Sequence, residues 1–439
     1  MTDHLFPVPE PRASVSDREA TVPRVQRANR AQLELRPLDL ESLLPEDHRA
    51  RLVWDFVQGL ELRAFYDEIK AVEGHAGRPA IDPAILMALW LYATLEGVGS
   101  ARALARLCEE HDAYRWLCGG VSVNYHTLAE FRVAHLAQLD AVLTTSVATL
   151  LHQGLVTLRR VAQDGVRVRA SAGGGSFRRR AGLQQCLAAA VAQVAALHAQ
   201  LDADPGGASR REQAARHRAA DERRARVAAA LAQLPVFEAR RRKARVKGEA
   251  RLSTTDPDAR VMKMADGGYR PAFNAQFMTT TESQIIVGVA VTNAGTDHGQ
   301  LAPMVDQVGR RYGQTPAEIL ADGGFVDFHD LRAVAATGGQ VYAPPQNSQD
   351  PTRPQRPLWN PDDAVVAEWR QRMYTPAGQA RYRLRAATSE CINAQARNRG
   401  LRQVLVRGLQ RVRAVVLWYA LAHNVLGAAR LRTAAATAT

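Results

Sequence analysis

The spacing of hydrophobic residues divides the chain into a helical part and a mixed part. From residue 46 to residue 158, apolar residues recur at helical intervals, whereas beyond residue 158 short β-branched runs alternate with helical stretches. Residues 1–45 are rich in Pro, Arg and Ser and have little periodicity, which predicts a partly ordered arm. We therefore expect an all-α N-terminal domain over 46–158 and an α/β domain over 159–439.

Capping signals place the N-terminal helices. Asp82 and Pro83 suit the N-cap and first-turn positions of a helix that ends near Gly97. Ser100 is a suitable cap for the next helix. Thr127 and Glu130 have the spacing of a capping box and predict the start of a third helix.

Short apolar runs in the second part predict strands of a mixed sheet flanked by helices. An alternating run and a near-continuous β-branched run lie close together and predict a hairpin. A final helix, apolar on nearly all sides, is expected to be buried against the sheet. The expected strands are 160–169, 272–278, 284–292, 318–321 and 340–343, and the helices between and after them are 300–311, 328–336, 375–400 and 411–426.

An insertion of two long helices is predicted over 178–250, because Ala, Leu, Arg and Glu dominate it and Asp204–Gly207 is a turn sequence. It ends in a basic run over Arg240–Lys247 that includes Arg240, Arg241, Arg242 and Lys243. Such a run is typical of a solvated helix surface, and phosphate contact is the alternative interpretation.

Three acidic residues are candidates for chemistry. Asp164 lies in the first predicted strand, and Asp322 follows a later strand, directly before a Gly pair. Ligands of open α/β sheets bind at the carboxyl ends of strands. Glu390 lies in the middle of a helix, where its backbone is rigid. Two strand-borne carboxylates and one helix-borne carboxylate are the ligand set that a two-metal phosphoryl-transfer site requires.

The third acid has rivals in the same interval. Asp362, Asp363 and Glu368 precede the helix that carries Glu390, and sequence distance does not decide between them. Glu390 has small and polar neighbours on its own face of the helix, which suits close approach to metal and DNA. Surface pairing is sufficient to explain Glu368.

Composition adds a polyanionic partner to this picture. The 439 residues carry a formal net charge of +13 with a pI near 10.1, which favours nucleic acid. The four cysteines form no CxxC pair and are expected to be reduced. No signal peptide or uninterrupted apolar run of membrane length is found, so we expect a cytoplasmic protein without membrane contact.

Basic residues among the N-terminal helices are consistent with helix-turn-helix DNA binding. The alternative is a small helical bundle with an ordinary charged surface. The arginines concerned are Arg102, Arg106, Arg115 and Arg132.

Several short motifs together resemble one family, the DDE-type insertion-sequence transposases, from about residue 50 to residue 428. The set is far more specific than any one of its members. The matching stretches are Arg78-Pro-Ala-Ile-Asp-Pro83, Asp164-Gly165, Phe273-Asn-Ala-Gln276, Val291-Thr-Asn293, Ala321-Asp-Gly-Gly324, Arg397-Asn-Arg-Gly-Leu401 and Ala422-His-Asn424.

This resemblance implies a ribonuclease H-like catalytic domain whose acids are Asp164, Asp322 and Glu390. It also implies two Mg²⁺ or Mn²⁺ ions, double-stranded DNA with terminal inverted repeats, a target DNA and a homodimer on DNA. The protein would be bacterial, cytoplasmic and nucleoid-associated. The implied activity is cleavage and joining of the ends of an insertion sequence by phosphoryl transfer.

The chain departs from part of the family around the third acid. Some members carry an Arg one turn before the Glu and a Lys seven residues after it. Here Arg397 takes the place of that Lys as an expected phosphate clamp, and Arg383 lies near the same face. Tyr382 and Arg385 are left open as site residues, because Arg385 is expected to point off the Glu390 face.

Two other functions remain open from the sequence. One is a DNA-binding protein derived from a transposase that no longer cuts. The other is a ribonuclease H-like nuclease that hydrolyses strands and never joins them. Retention of the three acids favours an enzyme and does not separate joining from hydrolysis.

Overall fold

The computed structural model describes residues 39–71, 79–203, 210–245, 247–345 and 363–438. Most of the predicted arm, the turn at Asp204–Gly207, Arg78, Asp362 and the larger part of the Pro-rich loop before residue 362 lie outside these ranges. The contiguous unit that starts at Leu40 contains all the elements below.

Seven helices form the N-terminal region, and seven belong to the rest of the described chain. The first group is α1 (Arg49–Gln58), α2 (Arg63–Tyr66), α3 (Pro83–Leu95), α4 (Ala101–Glu110), α5 (Asp112–Cys118), α6 (Tyr125–Ala134) and α7 (Leu136–His152). The second is α8 (Arg180–Ala203), α9 (Arg210–Lys243), α10 (Leu301–Tyr312), α11 (Phe328–Ala336), α12 (Ala364–Tyr374), α13 (Pro376–Asn398) and α14 (Leu409–Ala438).

The caps of α3 and α4 are confirmed, and that of α6 is not the predicted one. Asp82 accepts a hydrogen bond from the Ala84 backbone, and Ser100 caps α4. The prediction that Thr127 opens a helix is wrong, because α6 already begins at Tyr125. Asn124 caps it by accepting from two successive backbone N–H groups. A single Asx side chain satisfies these donors without a capping box.

The fold is mixed α/β, as predicted, around one six-stranded sheet. Its strands follow the order β4-β5-β1-β7-β8, and β6 pairs with β5 beside β4. β5 runs antiparallel to β1, β4 and β6, whereas β7 and β8 run parallel to β1. The strands are β1 (Arg160–Arg169), β4 (Arg260–Lys263), β5 (Tyr269–Thr280), β6 (Ile286–Thr292), β7 (Glu318–Leu320) and β8 (Gln340–Tyr342). The pattern of the sequence did not predict β4, an edge strand of four residues.

The two helices predicted between residues 178 and 250 are present as α8 and α9. A short antiparallel pair, β2 (Phe177–Arg178) and β3 (Leu252–Ser253), joins the start and end of this excursion. The helices share a small apolar cluster of their own around Leu183, Ala230 and Leu234. The helical excursion therefore begins and ends at neighbouring points of the structure.

Helix α14 connects the helical region to the sheet. It packs against α3, α7 and β6, and the large apolar cluster runs without a break from Leu44 to Ala428. A charged contact reinforces this: Asp140 on α7 pairs with Arg413 on α14 (3.2 Å) and Arg311 on α10 (2.5 Å). The prediction that the closing helix is buried is confirmed, although α14 extends beyond the predicted ends.

Two consecutive polar residues of α14 attach it to the sheet. The Asn424 side chain accepts from the Ile286 N–H at 2.9 Å and donates to the Ile286 carbonyl at 2.8 Å. His423 lies 2.8 Å from the Gln284 carbonyl through Nε2. These bonds satisfy backbone groups of β6 and its approach that no neighbouring strand satisfies, which gives the Ala422-His-Asn424 motif a structural role.

One single helix among the described residues, Leu409–Thr437, is long and apolar enough to cross a membrane. Its most apolar window is 83% buried inside the protein. The sequence contains no uninterrupted apolar run of this length, because arginines lie near both ends of the helix. Core helices of soluble proteins pass the same test.

The stability of the fold should fall at acid pH through His423. Burial holds its pKa at about 4, below the ordinary value of 6.5. The unfolded chain therefore binds more protons between these values, and the neutral-His423 contribution is complete above about pH 6.5 and lost toward pH 4. In chemical denaturation, the difference in unfolding free energy between wild type and His423→Gln should shrink by up to about 3 kcal/mol from pH 7 to pH 4. A constant difference would contradict this assignment.

Candidate active site

The sheet register places Asp164 and Asp322 beside each other. β1 and β7 are parallel neighbours in which Ala162 pairs with Leu320. Continuing this register by two residues brings Asp164 next to Asp322, on the same face of the sheet, since side chains alternate along a strand. β7 ends at Leu320, so Asp322 follows it at the carboxyl edge.

Asp164 is held by three donors. Its Oδ1 accepts from the Gly165 N–H at 2.8 Å. Its Oδ2 accepts from Asn393 Nδ2 at 2.8 Å and lies 3.4 Å from Arg385 on the same helix, α13. Burial raises the pKa of Asp164, and the negative charges of Asp322 and Asp297 raise it further, against the opposing effect of Arg385 and the Gly165 N–H. The ionised form of this carboxyl is therefore under-compensated.

Asp322 is oriented by the turn that follows it. The residue caps a short 3₁₀ turn over Gly323–Phe325, and its Oδ1 accepts from the Gly324 N–H at 2.7 Å. A Cβ on Gly324 would lie 2.9 Å from this same oxygen. Gly324 thus leaves the space that the Asp322 carboxylate occupies.

Glu390 stands apart from the two aspartates. Its side chain is exposed on α13, three residues before Asn393, which places it about 60° around the helix from the Asn393 that contacts Asp164. The structure records no hydrogen bond or ion pair of Glu390 with the described residues. Within the described ranges, no group of three His, Cys, Asp or Glu residues is arranged to hold a metal ion.

Arg385 and Asn393 are site neighbours that the sequence analysis did not assign. Arg385 was judged by its angle to Glu390, but the face of α13 that meets the sheet is the one carrying Ser389 and Asn393. Arg385 is one turn before Ser389 on this face, and its side chain is only 16% exposed. The buried positions of α13 gave the available signal, since Thr388, Ser389 and Asn393 are polar residues at helical spacing.

A second polar cluster lies on the opposite face of the sheet. Arg167 forms a two-pronged ion pair with Asp297, at 3.1 and 2.9 Å. Asn274 and Gln276 of β5 donate to Asp297 Oδ1 at 2.7 and 2.6 Å. Burial opposes ionisation of Asp297, but these donors outweigh it and hold the pKa below its usual range. Gly165 faces this cluster, directly after Asp164 in the chain.

The predicted DNA-binding residues occupy different environments. Arg102, Arg383, Arg397, Arg240, Arg242 and Lys243 are exposed. Arg241 is partly buried and donates to the Lys247 and Gly248 carbonyls. Arg132 is turned inward, over the ring of Trp90. Six of the eight residues are thus available at the surface.

The rival third acids have partners of their own. Glu368 is exposed and forms a 2.6 Å ion pair with Arg372, one turn later on α12. Asp363 caps α12 and pairs with Arg332 of α11. Surface pairing accounts for Glu368, as expected from the sequence.

Comparison with protein families identifies the class. A model described as a transposase domain matches residues 38–134, and a model described as a transposase DDE domain matches residues 352–427. These two matches show that the chain is a transposase. Neither the curated proteins nor the solved structures gave a match. The combination of the two domains assigns the chain, more particularly, to the DDE-type insertion-sequence transposases. The DDE match includes Glu390 and Asn393.

Replacement of Gly165 by Ala should disturb the polar cluster around Asp297. The new Cβ would lie 2.5 Å from Asp297 Oδ1 and Gln276 Nε2 and 2.7 Å from Asn274 Oδ1, all closer than van der Waals contact. We expect the variant to lose about 1–3 kcal/mol of unfolding free energy in urea denaturation.

The matched control is Gly175→Ala, where an added Cβ meets nothing within 4 Å. This variant should remain within about 0.5 kcal/mol of wild type. Equal unfolding free energies of the two variants would show that the side chains around Asp297 can move aside without loss of stability.

Proposed function

We propose that this transposase cleaves and joins the ends of an insertion sequence by phosphoryl transfer with two divalent metal ions. The observation that carries the proposal is that Asp164 and Asp322 are neighbours at the carboxyl end of β7. They lie on the face of the sheet that α13, the helix with Glu390, covers. Phosphoryl transfer depends on positioning and on charge stabilisation rather than on covalent chemistry by the protein. A pair of backbone-held carboxylates suits that requirement.

The strand order supports a ribonuclease H-like catalytic domain. Around β1, the order β6-β5-β1-β7-β8 combines an antiparallel meander with two parallel strands. The three strands of the meander, β1, β5 and β6, follow one another along the chain except for the helical excursion and the edge strand β4, while helices connect the parallel strands. An N-terminal domain over 46–158 would then serve recognition, and the excursion over 178–250 would extend the DNA-binding surface.

The electrostatics of the aspartates suits a bound cation. Burial and Asp322 raise the pKa of Asp164, and a divalent cation would relieve that penalty. Asp164, Asp322 and Glu390 would hold Mg²⁺ or Mn²⁺, both of which take carboxylate oxygens. When bound, two such ions activate a water or a DNA 3′-hydroxyl and stabilise the leaving oxygen.

The surrounding residues have their own roles in this proposal. The hydrogen bond from Asn393 fixes the Asp164 carboxylate relative to α13. Arg385 supplies positive charge beside it, which limits repulsion between the aspartates. Arg383 and Arg397, exposed on the same helix, would contact the DNA backbone, since a guanidinium matches phosphate geometry.

The proposed partners are those that membership of the transposase family implies. The DNA would be double-stranded with terminal inverted repeats, and a target DNA would receive the joined end. A homodimer would hold the two ends, and the protein would act in the cytoplasm at the nucleoid. Arg102 and the basic residues 240–243 would add phosphate contacts.

The three acids should be required for cutting and dispensable for binding. Asp164→Asn, Asp322→Asn and Glu390→Gln should each lower Mg²⁺-dependent cleavage of a terminal repeat by on the order of 10³-fold, because each removes a negatively charged metal ligand. DNA affinity, measured by a gel shift, should stay close to wild type.

Glu368→Gln is the matched control for the third acid, since Glu368 is an exposed helical glutamate paired with Arg372. It should cut at the wild-type rate. If Glu368→Gln is inactive while Glu390→Gln cuts normally, the third acid is misassigned. If every acid variant binds and cuts like wild type, the phosphoryl-transfer proposal fails. An inactive wild type that still binds the repeat would favour the silent DNA-binding alternative.

The basic end of α9 should contribute salt-dependent, sequence-independent affinity. Arg240, Arg242 and Lys243 are exposed, so replacing all three by Gln should leave the fold intact. The slope of log K against log salt should become shallower by up to about 2.7, at roughly 0.9 per phosphate contact. Preference for the terminal repeat over unrelated DNA should not change. Loss of preference with an unaltered slope would assign the opposite role to this run.

A further inference from the structure

A cavity lies where the C-terminal ends of α3 and α13 meet. Its volume is about 220 Å³, and it is lined by residues that follow both helices. The backbones of Gly97 and Gly400 are in close approach there: a Cβ on Gly400 would lie 3.0 Å from the Gly97 carbonyl oxygen, and both residues have positive φ. The cavity thus joins a stretch matched by the first transposase model to one matched by the second.

Two arginines line this cavity, and each has one N–H group without a hydrogen-bond partner among the described residues. Arg132 stacks over Trp90 at 4.6 Å and donates from one terminal nitrogen to the Gly99 carbonyl at 2.5 Å. Its Nε is shielded from solvent and has no hydrogen-bond partner among the described residues. The same is true of one terminal nitrogen of Arg399.

No carboxylate lines the cavity within the described part of the chain. Burial lowers the pKa of Arg132 to about 10, which reflects the cost of a desolvated cation. The carbonyl ends of α3 and α13 carry partial negative charge and compensate the arginines in part. The two unpartnered N–H groups remain, and buried donors of this kind are normally satisfied by a ligand or ordered water.

We propose that this cavity, between Arg132 and Arg399, is a binding site for a phosphate oxyanion. Paired guanidinium groups offer several N–H donors in a planar arrangement that suits phosphate oxygens. The volume is sufficient for such an anion. Leu405 lines the cavity and is 57% exposed, so the site communicates with solvent on that side.

The position of the cavity indicates the DNA backbone as the source of the phosphate. Arg399 is the C-cap of α13 and lies six residues beyond Asn393, or about 9 Å along the helix axis. Asn393 contacts Asp164. The axial rise per nucleotide of a DNA strand is about 3.4 Å, so a phosphate here would belong to a nucleotide near the one at the aspartates. This step rests on the proposed function, whereas phosphate binding itself does not.

The first experiment uses inorganic phosphate and no DNA. Millimolar phosphate should raise the Tm of the full chain by roughly 2 °C over chloride at matched ionic strength, because the anion binds only the folded protein. Arg399→Gln should remove this increment, and Arg399→Lys should retain part of it. Arg310→Gln is the control: it removes one positive charge from an exposed arginine on α10, outside the cavity.

The second experiment measures binding of a terminal-repeat DNA against salt. If the site takes a backbone phosphate, Arg399→Gln should make the slope of log K against log salt shallower by about 0.9. If Arg399→Gln abolishes the Tm increase caused by phosphate but leaves the slope of log K against log salt unchanged, the site binds free phosphate and not the DNA backbone. If phosphate raises the Tm of wild type and Arg399→Gln equally, or raises the Tm of neither protein, the cavity does not bind phosphate. This conclusion would hold whatever the cleavage assays show.

Discussion

The structure depends on one constraint, the burial of charged carboxylates on both faces of the central strand β1. On one face Asp164 meets Asp322, and on the other Gly165 leaves room for the bonded group around Asp297. A buried carboxylate is costly unless it is paired or hydrogen-bonded. At Asp297, the ion pair with Arg167 and hydrogen bonds from two side-chain amides offset the cost of burial. At Asp164, the donors offset it only in part, and this difference makes the Asp164 face the candidate for cation binding.

The helices are arranged to keep β1 and its neighbours fixed. Helix α14 bonds to β6 through Asn424 and His423, and it pairs with α7 through Arg413 and Asp140. Helix α13 is bonded to β1 at Asp164 and to α14 through the Tyr419 hydroxyl, which donates to the Ile392 carbonyl at 3.2 Å. Helix α14 therefore contacts both the N-terminal helices and α13, the helix that bonds to Asp164.

The sequence predicted the sheet well because its strands are apolar runs bounded by turn residues. It missed β4, because the sequence Arg260-Val-Met-Lys263 is short, does not alternate and lies at an edge of the sheet. The cap of α6 was misplaced because a capping-box match at Thr127 competed with a single Asn three residues earlier. Arg385 was left open because helix angles were measured from Glu390. Tertiary packing decides which face of α13 meets the sheet, and the small polar residues Thr388, Ser389 and Asn393 are the one trace of that face in the sequence.

The same packing explains why two candidate acids are partly enclosed and the third is exposed. Asp164 and Asp322 are positioned by strand register, so their separation is set by backbone hydrogen bonds. Glu390 is positioned by the rotation of α13, and Asn393 fixes that rotation through Asp164. In the site proposed above, the Glu390 side chain would have to span the remaining angle of about 60°, and a Glu side chain is longer than an Asp side chain. Its exposed position would leave the approach to the aspartates open to a DNA strand.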